Sequence, residues 1–519
     1  MKHPGAENSA ATTARSAGCP GRPGRSARSR AALLAAGLAL LTAFATTQAG
    51  TAAASGAPDR TASAGVRQWV SDAHTTGPQP DSPTAVTTTP APADTTVHVD
   101  PGLRFQQLTG FGASITDSSA TVMYRLDKQH RDALMTRLFS PRQGIGLSML
   151  RQPIGASDFA TRDYTFDDVP AGQTDYSLEH FSVAHDTGQI LPLLRQARAL
   201  NPRLQIVASP WSPPAWMKTG DSMIDGKLID SPRIYDAYAR YLVKFVQAYA
   251  AAGVPVDYLT VQNEPQALLR TDYPGTDLPV AQEAKVIERL GPALKAAGLR
   301  TKILGFDHNW AEHPFDVQSH VDAGEDPEPD YPFDLLESPA ARWISGTAYH
   351  CYYGDPGAQT ALKASHPGKD IFETECSGGG ITRTIGAMNN WARSMIFWNL
   401  ALDENHGPHT GGCTGCDGTV SVDSTTGAVT YTGNYYTLAH FSRFVRPGAV
   451  RIASGVAAAQ GDPSPLQASA FTNPDGSTAL VVYNPSTTAA HTTAITAPGI
   501  DVTTSVAPGA TVTYTWGGR

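Results

Sequence analysis

Short apolar runs alternate with longer amphipathic segments along most of the chain after Leu103. Eight of these runs have the length of a buried strand: Leu108–Thr116, Leu147–Ile154, Leu204–Pro210, Tyr258–Gln262, Thr301–Phe306, Ile344–Tyr349, Asp370–Glu375 and Met395–Leu400. Four segments between them carry a helical pattern: Ala120–Phe139, Leu191–Leu200, Arg233–Ala252 and Val280–Ala297. Strand–helix alternation repeated in this way predicts an α/β protein with a (β/α)8 TIM barrel.

An open, doubly wound parallel sheet is the alternative architecture. Such a sheet usually carries a glycine-rich nucleotide turn, G-x-G-x-x-G, after its first strand. The first predicted strand contains Gly110–Ser114, with the sequence GFGAS, which does not match that pattern. The barrel is therefore favoured.

The helical pattern stops near Val450, and short runs rich in Val, Thr and Tyr follow. These runs are Leu466–Thr472, Ala479–Tyr483, His491–Thr496, Val502–Val506 and Thr511–Trp516. Between the first two, Asn473–Gly476 reads NPDG, which is typical of a turn. The pattern predicts a small all-β sandwich side domain, and the run Thr96–Val99 before the barrel is expected to add a strand to it.

The N-terminal segment differs in composition from the rest of the chain. Several arginines precede an Ala/Leu-rich run from Ala31 to Ala45, which is too short to span a bilayer. This predicts a secretory signal peptide over residues 1–49, with a membrane anchor as the alternative. Residues 50–96, rich in Thr, Pro, Ala and Ser, predict a linker. The barrel is then expected over residues 97–445 and the β-sandwich over residues 446–519.

Charge narrows the class of partner. The whole chain carries a formal net charge of −8, and the part after the basic signal segment is more acidic still. An acidic protein without a Lys/Arg cluster is a poor candidate for binding nucleic acid or inserting into anionic membranes. A neutral glycan fits better as a partner, and we expect a secreted monomer.

Four cysteines remain once Cys19 leaves with the signal peptide. Cys413 and Cys416 lie in a glycine-rich loop, GGCTGCDG, and a small loop-closing disulfide is expected there. A zinc or redox site would need further ligands or a βαβ context, and neither is evident. Cys351 and Cys376 either pair with each other or remain buried free thiols.

Two glutamates stand at predicted strand ends, where catalytic residues of a (β/α)8 barrel lie. Glu264 follows the fourth run and precedes Pro265, and Glu375 ends the seventh run. Two carboxylates facing each other across the barrel mouth are the equipment for cleaving a glycosidic bond. Glu373, two positions before Glu375, is expected on the same face of the strand but one layer deeper.

Aromatic residues cluster at the same strand ends, where sugar rings could pack on them. They are Trp211, Trp216, Trp310, Tyr349, Tyr352, Tyr353 and Trp398. Trp211 precedes Ser-Pro-Pro in a rigid loop and is the stronger candidate for binding, whereas Trp398 could also fill the barrel.

With these residues in place, the chain resembles glycoside hydrolase family 30, which contains glucosylceramidases and microbial endo-β-1,6-glucanases. The matching stretches are GFGASITDSSA, LRQPIGASDF, ASPWSPPAWMKT, LTVQNEPQ, the TEC of FETECSGG, FWNLALDENHGP and LAHFSRFVRPG. NEP alone occurs in many barrel glycosidases, but the set in this order is specific.

The resemblance implies a retaining mechanism without a metal or cofactor, in which Glu264 is the acid/base and Glu375 the nucleophile. It implies substrate-binding roles for Asp158, Trp211, Asn263, His350, Tyr352 and Trp398, and it places Arg151 beside Glu375 to keep that carboxylate ionised. Glu373 is expected to be non-catalytic and to need a buried partner. Asp117 also resembles a family position, but it precedes Ser-Ser-Ala at a helix start and is favoured as a helix N-cap.

Within this class the GGCTGCDG loop resembles microbial members of the family more than animal glucosylceramidases. The resemblance therefore favours an endo-β-1,6-glucanase-like activity. A glucosylceramidase, or an exo-acting β-glucosidase or β-xylosidase, is the alternative. A carbohydrate-binding barrel without catalysis is a third hypothesis, and it predicts a damaged carboxylate pair, whereas both glutamates are intact.

Overall fold

The computed structural model describes residues 65–72, 75, 82–267, 272–378 and 380–518. The predicted signal peptide and the first part of the predicted linker lie outside the described residues.

A closed barrel of parallel strands forms the larger part of the fold. Three strands precede it: β1 Arg67–Ser71, β2 Thr84–Ala85 and β3 Thr95–Gln107. The barrel strands are β4 Gly110–Ser114, β5 Met149–Ile154, β6 Gln205–Pro210, β7 Tyr258–Leu259, β8 Lys302–Asn309, β9 Ile344–His350, β10 Asp370–Glu375 and β11 Ala392–Asn399. They close in the order β10-β11-β4-β5-β6-β7-β8-β9. The predicted TIM barrel is confirmed, and each predicted run overlaps one strand, although β8, β9 and β11 extend beyond their runs.

Helices surround the barrel between its strands. The described residues contain α1 Asp117–Arg125, α2 Lys128–Phe139, α3 Ile190–Leu200, α4 Pro232–Ala251, α5 Val280–Ala296, α6 Pro314–Asp322, α7 Tyr331–Glu337, α8 Gly357–Ser365, α9 Gly380–Asn389 and α10 Gly433–Ser442. Short 3₁₀ helices lie at Ala184–Thr187, Ala215–Met217 and Pro339–Trp343. Three of the four predicted helices, α3, α4 and α5, are confirmed to within one residue at each end.

The predicted single helix Ala120–Phe139 is wrong, because two helices occupy this segment. Leu126 takes an extended conformation and ends α1. Asp127 then caps α2, with its side chain accepting a hydrogen bond from the His130 backbone N–H at 2.9 Å. A good capping residue inside an apolar-periodic segment marks such a break.

The predicted N-cap role of Asp117 is also wrong. Thr116 caps α1 by accepting from the Ser119 backbone N–H at 3.0 Å. Asp117 is the first helical residue, and its carboxylate accepts from the Thr161 backbone N–H at 2.8 Å. It therefore ties the helix start to the loop after β5.

The C-terminal strands build a separate β-structure. A small sheet contains β12 Ala401–Asp403, β13 Val420–Val422 and β14 Val429–Tyr431. The last strands are β15 Val450–Ala457, β16 Gln467–Thr472, β17 Ser477–Tyr483, β18 His491–Ala497, β19 Ile500–Val506 and β20 Thr511–Gly517. They join β1–β3 in a nine-stranded sheet ordered β19-β18-β3-β15-β16-β17-β20-β1-β2. The predicted side domain and the added strand before the barrel are confirmed.

One apolar core lies inside this sheet. Val97 of β3, Leu480 of β17 and Val502 of β19 belong to the same buried cluster although their strands are far apart in the sheet order. The sheet therefore folds over on itself as a sandwich. The interpretation of residues 50–96 as a linker is wrong for Arg67–Ser71. This segment forms β1 and pairs antiparallel with β20. Its Trp69 side chain is buried and packs against His440, which holds the strand in place.

The barrel interior carries the functional side chains on an apolar floor. One buried cluster contains Met149, Val207, Tyr258, Leu304, Ala348, Phe372 and Ile396. Side chains two positions apart on a strand share a face. The inward layer nearer the strands' C-terminal ends therefore contains Arg151, Ser209, Thr260, His350, Thr374 and Trp398. Almost all of this second layer is polar.

Candidate active site

Asp307, near the end of β8, is the centre of the polar layer. Its carboxylate accepts hydrogen bonds from Ser209 Oγ at 2.7 Å, Thr260 Oγ1 at 2.9 Å and Thr374 Oγ1 at 2.6 Å. The residue is fully buried, and its backbone is left-handed, with φ of 67°. Burial favours the neutral acid, but the neighbouring Arg151 and His350 hold the pKa of Asp307 well below its ordinary value. Asp307 is therefore a buried anion.

Arg151, on β5, connects this anion to the mouth of the barrel. Its Nη2 donates to Asp307 Oδ2 at 2.8 Å and to Asn263 Oδ1 at 2.7 Å. Its Nη1 donates to Glu375 Oε2. The guanidinium lies 4.8 Å from the centre of the Trp211 ring. Burial works against its charge, yet Asp307 and Glu375 raise the pKa of Arg151, so it stays a cation.

Glu375 is turned into the barrel mouth by an irregularity in β10. The pairing with β9 shifts register between Glu373 and Glu375. Tyr352, just after β9, donates its hydroxyl to Glu375 Oε1 at 2.8 Å. Both oxygens of this carboxylate are thus held by donors. The predicted contact of Arg151 with Glu375 is confirmed.

Glu264 follows β7 and takes a left-handed backbone conformation, with φ of 46°. Its backbone N–H donates to Asp307 O at 3.0 Å, which fixes the turn. Its side chain is 17% exposed, more than that of Glu375 at 7%. His350 Nδ1 lies 3.3 Å and His308 Nδ1 3.9 Å from Glu264 Oε1.

His350 lies beneath the cavity and connects the carboxylate of Glu264 to that of Asp307. Its Nε2 lies 3.2 Å from Asp307 Oδ1, on the opposite side of the ring from Glu264. Burial opposes a charge on this ring, but the Glu375 carboxylate and the bonds to Asp307 and Glu264 raise the pKa of His350 to about 10. As an imidazolium it donates to both partners.

Charge balance in this buried cluster separates the two glutamates. Arg151 and His350 supply two positive charges, and Asp307 takes one negative charge. One further ionised carboxylate makes the net charge of the cluster zero, whereas a second would make it −1. Burial raises the pKa of Glu375 and Glu264 adds to the rise, while His350 and Arg151 oppose it. Of the two glutamates, Glu375 is the one that contacts the Arg151 guanidinium.

A cavity of about 440 Å³ opens above these groups. Trp211 and Trp398 form one wall, with their rings stacked 4.8 Å apart. The cavity is lined by Asp158, Trp211, Asn263, Glu264, Tyr352, Glu375 and Trp398, all of them predicted, together with Asp272, Tyr273, Gly412, Cys413 and Cys416. Arg151 and His350 lie beneath them. The structure thus brings together every residue to which the resemblance assigned a catalytic, substrate-binding or supporting role.

Four other aromatic candidates lie away from this cavity. Trp216 donates its indole N–H to Asp167 O at 3.2 Å. Tyr349 is buried against Phe306, and Tyr353 is exposed beside His313. Trp310 points to Glu373. A position after a strand end does not show whether a side chain points into the barrel mouth or away from it, so the sequence could not separate these four residues from the others.

Glu373 lies outside the barrel, so its expected place one layer deeper in the interior is wrong. Phe372 before it belongs to the apolar floor, and the alternation of the strand turns Glu373 towards α8. There it accepts from Trp310 Nε1 at 3.1 Å and from Gln359 Nε2. Burial raises the pKa of Glu373 to about 8. The expectation that it needs a buried partner is confirmed.

Both pairs of cysteines form disulfides. Cys413–Cys416 closes its loop as expected and lines the cavity. Cys351–Cys376, for which pairing and free thiols were both open, is also bonded and joins the ends of β9 and β10.

Two groups of described residues bring three possible metal-ligand atoms within 4.8 Å of one another: Glu264, His308 and His350, and Asp277, His320 and Glu325. In the first group, the protonated His350 donates to Glu264 and has no lone pair to offer. In the second, the Lys227 ammonium already contacts both carboxylates. We assign a metal to neither.

Asp307, His308, Asp272 and Tyr273 were missed by the sequence reasoning. Asp307 and His308 stand in the stretch FDHNW, where only Trp310 was singled out. Polar residues directly after an apolar strand were the available signal, the same one that identified Glu264.

Comparison with known proteins places these features in a wider group. Residues 108–445 match the Glycosyl hydrolase family 30 TIM-barrel domain, and residues 448–514 match the Glycosyl hydrolase family 30 beta sandwich domain. An endo-1,6-β-D-glucanase of Neurospora crassa is 35% identical over 75% of this chain and 81% of its own. The lysosomal acid glucosylceramidase of Mus musculus is 31% identical over 80% of this chain and 82% of its own. The solved structure of the endo-β1,6-glucanase BT3312 superposes with a TM-score of 0.75 and 29% identity, covering 87% of this chain and 99% of that one.

Proposed function

The chain belongs to glycoside hydrolase family 30, and we propose that it hydrolyses β-1,6-linked glucan by a retaining, two-glutamate mechanism. Glu375 is the nucleophile and Glu264 the acid/base. The observation that carries this proposal is the unequal surroundings of the two carboxyls in one cavity. Arg151 and Tyr352 donate hydrogen bonds to the two oxygens of Glu375, whereas Glu264 is more exposed and lies 3.3 Å from His350 Nδ1.

The first half of the reaction uses both groups at once. The Glu375 carboxylate attacks the anomeric carbon of a sugar bound against Trp211 and Trp398, while Glu264 gives its proton to the departing glycosidic oxygen. A covalent glycosyl-enzyme results. In the second half, Glu264 has already given up its proton and acts as a base on a water molecule. The water oxygen attacks the anomeric carbon and releases Glu375 as a carboxylate.

Other groups in the cavity bind the sugar. Asn263, held by Arg151 at 2.7 Å, is fixed beside Glu264 and offers its amide N–H to a hydroxyl group. Asp158 also lines the cavity and provides acceptors. The flat stack of Trp211 and Trp398 accepts the C–H face of a pyranose ring. A neutral glycan is thus matched by one apolar wall and a few fixed polar groups.

The choice of β-1,6-glucan rests on the relatives. The Neurospora crassa protein and BT3312 both carry that activity in their names and cover most of this chain. Glucosylceramide is the second candidate, supported by the similarity to the mouse glucosylceramidase. Rates on β-1,6-glucan, xylan, glucosylceramide and an aryl β-glucoside separate these choices, and activity on the aryl glucoside alone would refute an endo-acting enzyme.

Secretion and a monomeric state are part of the same proposal. The disulfides Cys351–Cys376 and Cys413–Cys416 are typical of an oxidising compartment. Among the described residues, no helix is both long and apolar enough to cross a membrane. Recovery of the processed chain from the culture medium, at monomer size on a calibrated gel-filtration column, tests this.

Single variants on an activated aryl β-glucoside test the mechanism. We expect Glu375→Gln to be inactive and Glu264→Gln to be slow but rescued by azide, giving a β-glycosyl azide. Glu373→Gln is the control, with the same substitution two positions away. An α-configured azide from Glu264→Gln would mean that azide replaces a missing nucleophile in a single displacement, and would move the nucleophile to Glu264. Loss of activity in the control alone would move it to Glu373.

A further inference from the structure

The Cys351–Cys376 disulfide lies between residues of the reactive site. Cys376 directly follows Glu375, and Cys351 stands between His350 and Tyr352. Both cysteines are buried. One covalent bond therefore joins the segment that carries Glu375 to the segment that carries its hydroxyl donor and its imidazolium neighbour.

Regular strand pairing does not fix this region. The β9–β10 register shifts just before Glu375, and both strands end there, at His350 and Glu375. Beyond the strand ends, a single backbone hydrogen bond, from the Cys351 N–H to Glu375 O at 3.2 Å, is described between the two segments. The disulfide adds a covalent link where the ladder stops.

The two cysteines of the disulfide also accept hydrogen bonds from the neighbouring strand β11 and from α9. The Trp398 backbone N–H donates to Cys376 O at 2.8 Å, and Arg383 of α9 donates to Cys351 O. Trp398 forms the aromatic wall of the cavity. The disulfide thus sits where the segments bearing the nucleophile, its donors and the sugar-binding wall meet.

We propose that the Cys351–Cys376 disulfide is a positioning element of the glycosidase reaction, which holds Glu375 against the Tyr352 hydroxyl and the His350 ring. The inference rests on the proposed role of Glu375 as nucleophile. Small displacements of a nucleophile from its line of attack reduce the chemical step by large factors. Two cysteines that touch no substrate thereby control the rate.

The groups facing Glu375 decide what loosening would do. They are Arg151 from β5, Glu264 after β7, His350 from β9 and Tyr352 beyond it. Without the disulfide, the segment carrying His350 and Tyr352 can move away, and both of these groups favour the ionised carboxylate. The pKa of Glu375 then rises, and the acidic limb of the pH–rate profile moves to higher pH.

The test compares two double variants of the full mature chain on the aryl β-glucoside. Cys351→Ala/Cys376→Ala is expected to lower kcat by about 10- to 100-fold, with a small change in KM and an acidic limb at higher pH. Cys413→Ala/Cys416→Ala is the control, since it removes the other disulfide of the cavity. It is expected to alter KM and to leave the acidic limb in place.

A second measurement covers the case in which the first variant does not fold. In the Cys413→Ala/Cys416→Ala background, a phosphine reductant is added in urea below the unfolding midpoint, because the Cys351–Cys376 bond is buried. Thiol titration after the urea is removed confirms the reduction. Loss of activity that returns on reoxidation supports the proposal. Full activity with both thiols free overturns it, while the hydrolysis measured for the wild-type enzyme still tests the function by itself.

Discussion

Arg151 Nη2 lies 2.8 Å from Asp307 Oδ2, and the other terminal nitrogen of the same guanidinium contacts Glu375. One buried cation thus connects a buried, permanent anion to the proposed nucleophile. Asp307 touches no cavity space, yet it also holds His350, which reaches Glu264. The two cations that contact the reactive glutamates are therefore both held by a residue beneath the site.

Replacing that anion tests the dependence. Asp307→Asn keeps the size of the side chain but leaves Arg151 and His350 without their counter-charge. We expect the free energy of unfolding to fall by about 3–5 kcal/mol, together with a large loss of kcat. Because the native pKa of Asp307 is lowered, its contribution is complete above the unfolded pKa of about 3.9 and fades as the pH falls below it.

Chemical denaturation at neutral and acidic pH measures this effect. The difference between wild type and Asp307→Asn should be constant above about pH 5 and shrink towards acid. Asp230→Asn provides the control, since it changes an exposed ion pair with Lys285 and should leave the unfolding midpoint unchanged. An equal effect of the two substitutions would contradict a special role for Asp307.

Tyr352→Phe removes one hydrogen bond from Glu375 and little else. The hydroxyl donates to the carboxylate at 2.8 Å and so favours its ionised form. Without it the pKa of Glu375 rises, and we expect the acidic limb of kcat/KM to move up by about one pH unit. Tyr353→Phe, at the exposed neighbouring position, is the matched control and should leave the profile in place.

Glu373→Gln should keep the activity and change the pH dependence of stability. Burial raises the pKa of Glu373 to about 8, so the folded protein holds it as the neutral acid. Its contribution is complete below the unfolded pKa of about 4.3 and is lost as the pH rises through about 8. The wild type should therefore lose several degrees of Tm relative to the variant between pH 6 and pH 9.

Thermal unfolding at several pH values, recorded together with hydrolysis rates, checks this expectation. Glu337→Gln is the control because Glu337 is exposed at the end of α7. A parallel decline of Tm for wild type and Glu373→Gln would show that Glu373 is ionised in the folded protein.

The barrel and the two rim glutamates could be predicted because both follow from local pattern. Alternating apolar runs reveal strands, and a polar residue after each run reveals the rim. Glu373 could not be placed, since the register shift that separates it from Glu375 depends on pairing with β9. Asp307 was missed because its partners, among them Ser209 and Thr374, are distant in sequence.

The error on the linker has a different cause. Residues 50–96 are polar and small on average, and a five-residue strand inside them changes the average little. Arg67–Ser71 forms a strand because it pairs with the edge of the sheet at β20 and because the Trp69 side chain is buried. Tertiary contacts of this kind override composition.

Trp69→Ala tests whether β1 is an integral part of the fold. Trp69 is 4% exposed, and its ring packs on His440 at 4.5 Å and on Phe444 at 5.8 Å. Truncating a buried aromatic side chain costs about 3–5 kcal/mol, so we expect a matching fall in the free energy of unfolding. Val70→Ala, at the 41% exposed neighbour on the same strand, is the control and should have little effect. Urea unfolding measures both variants, and a stability equal to wild type for Trp69→Ala would mean that β1 is only loosely attached.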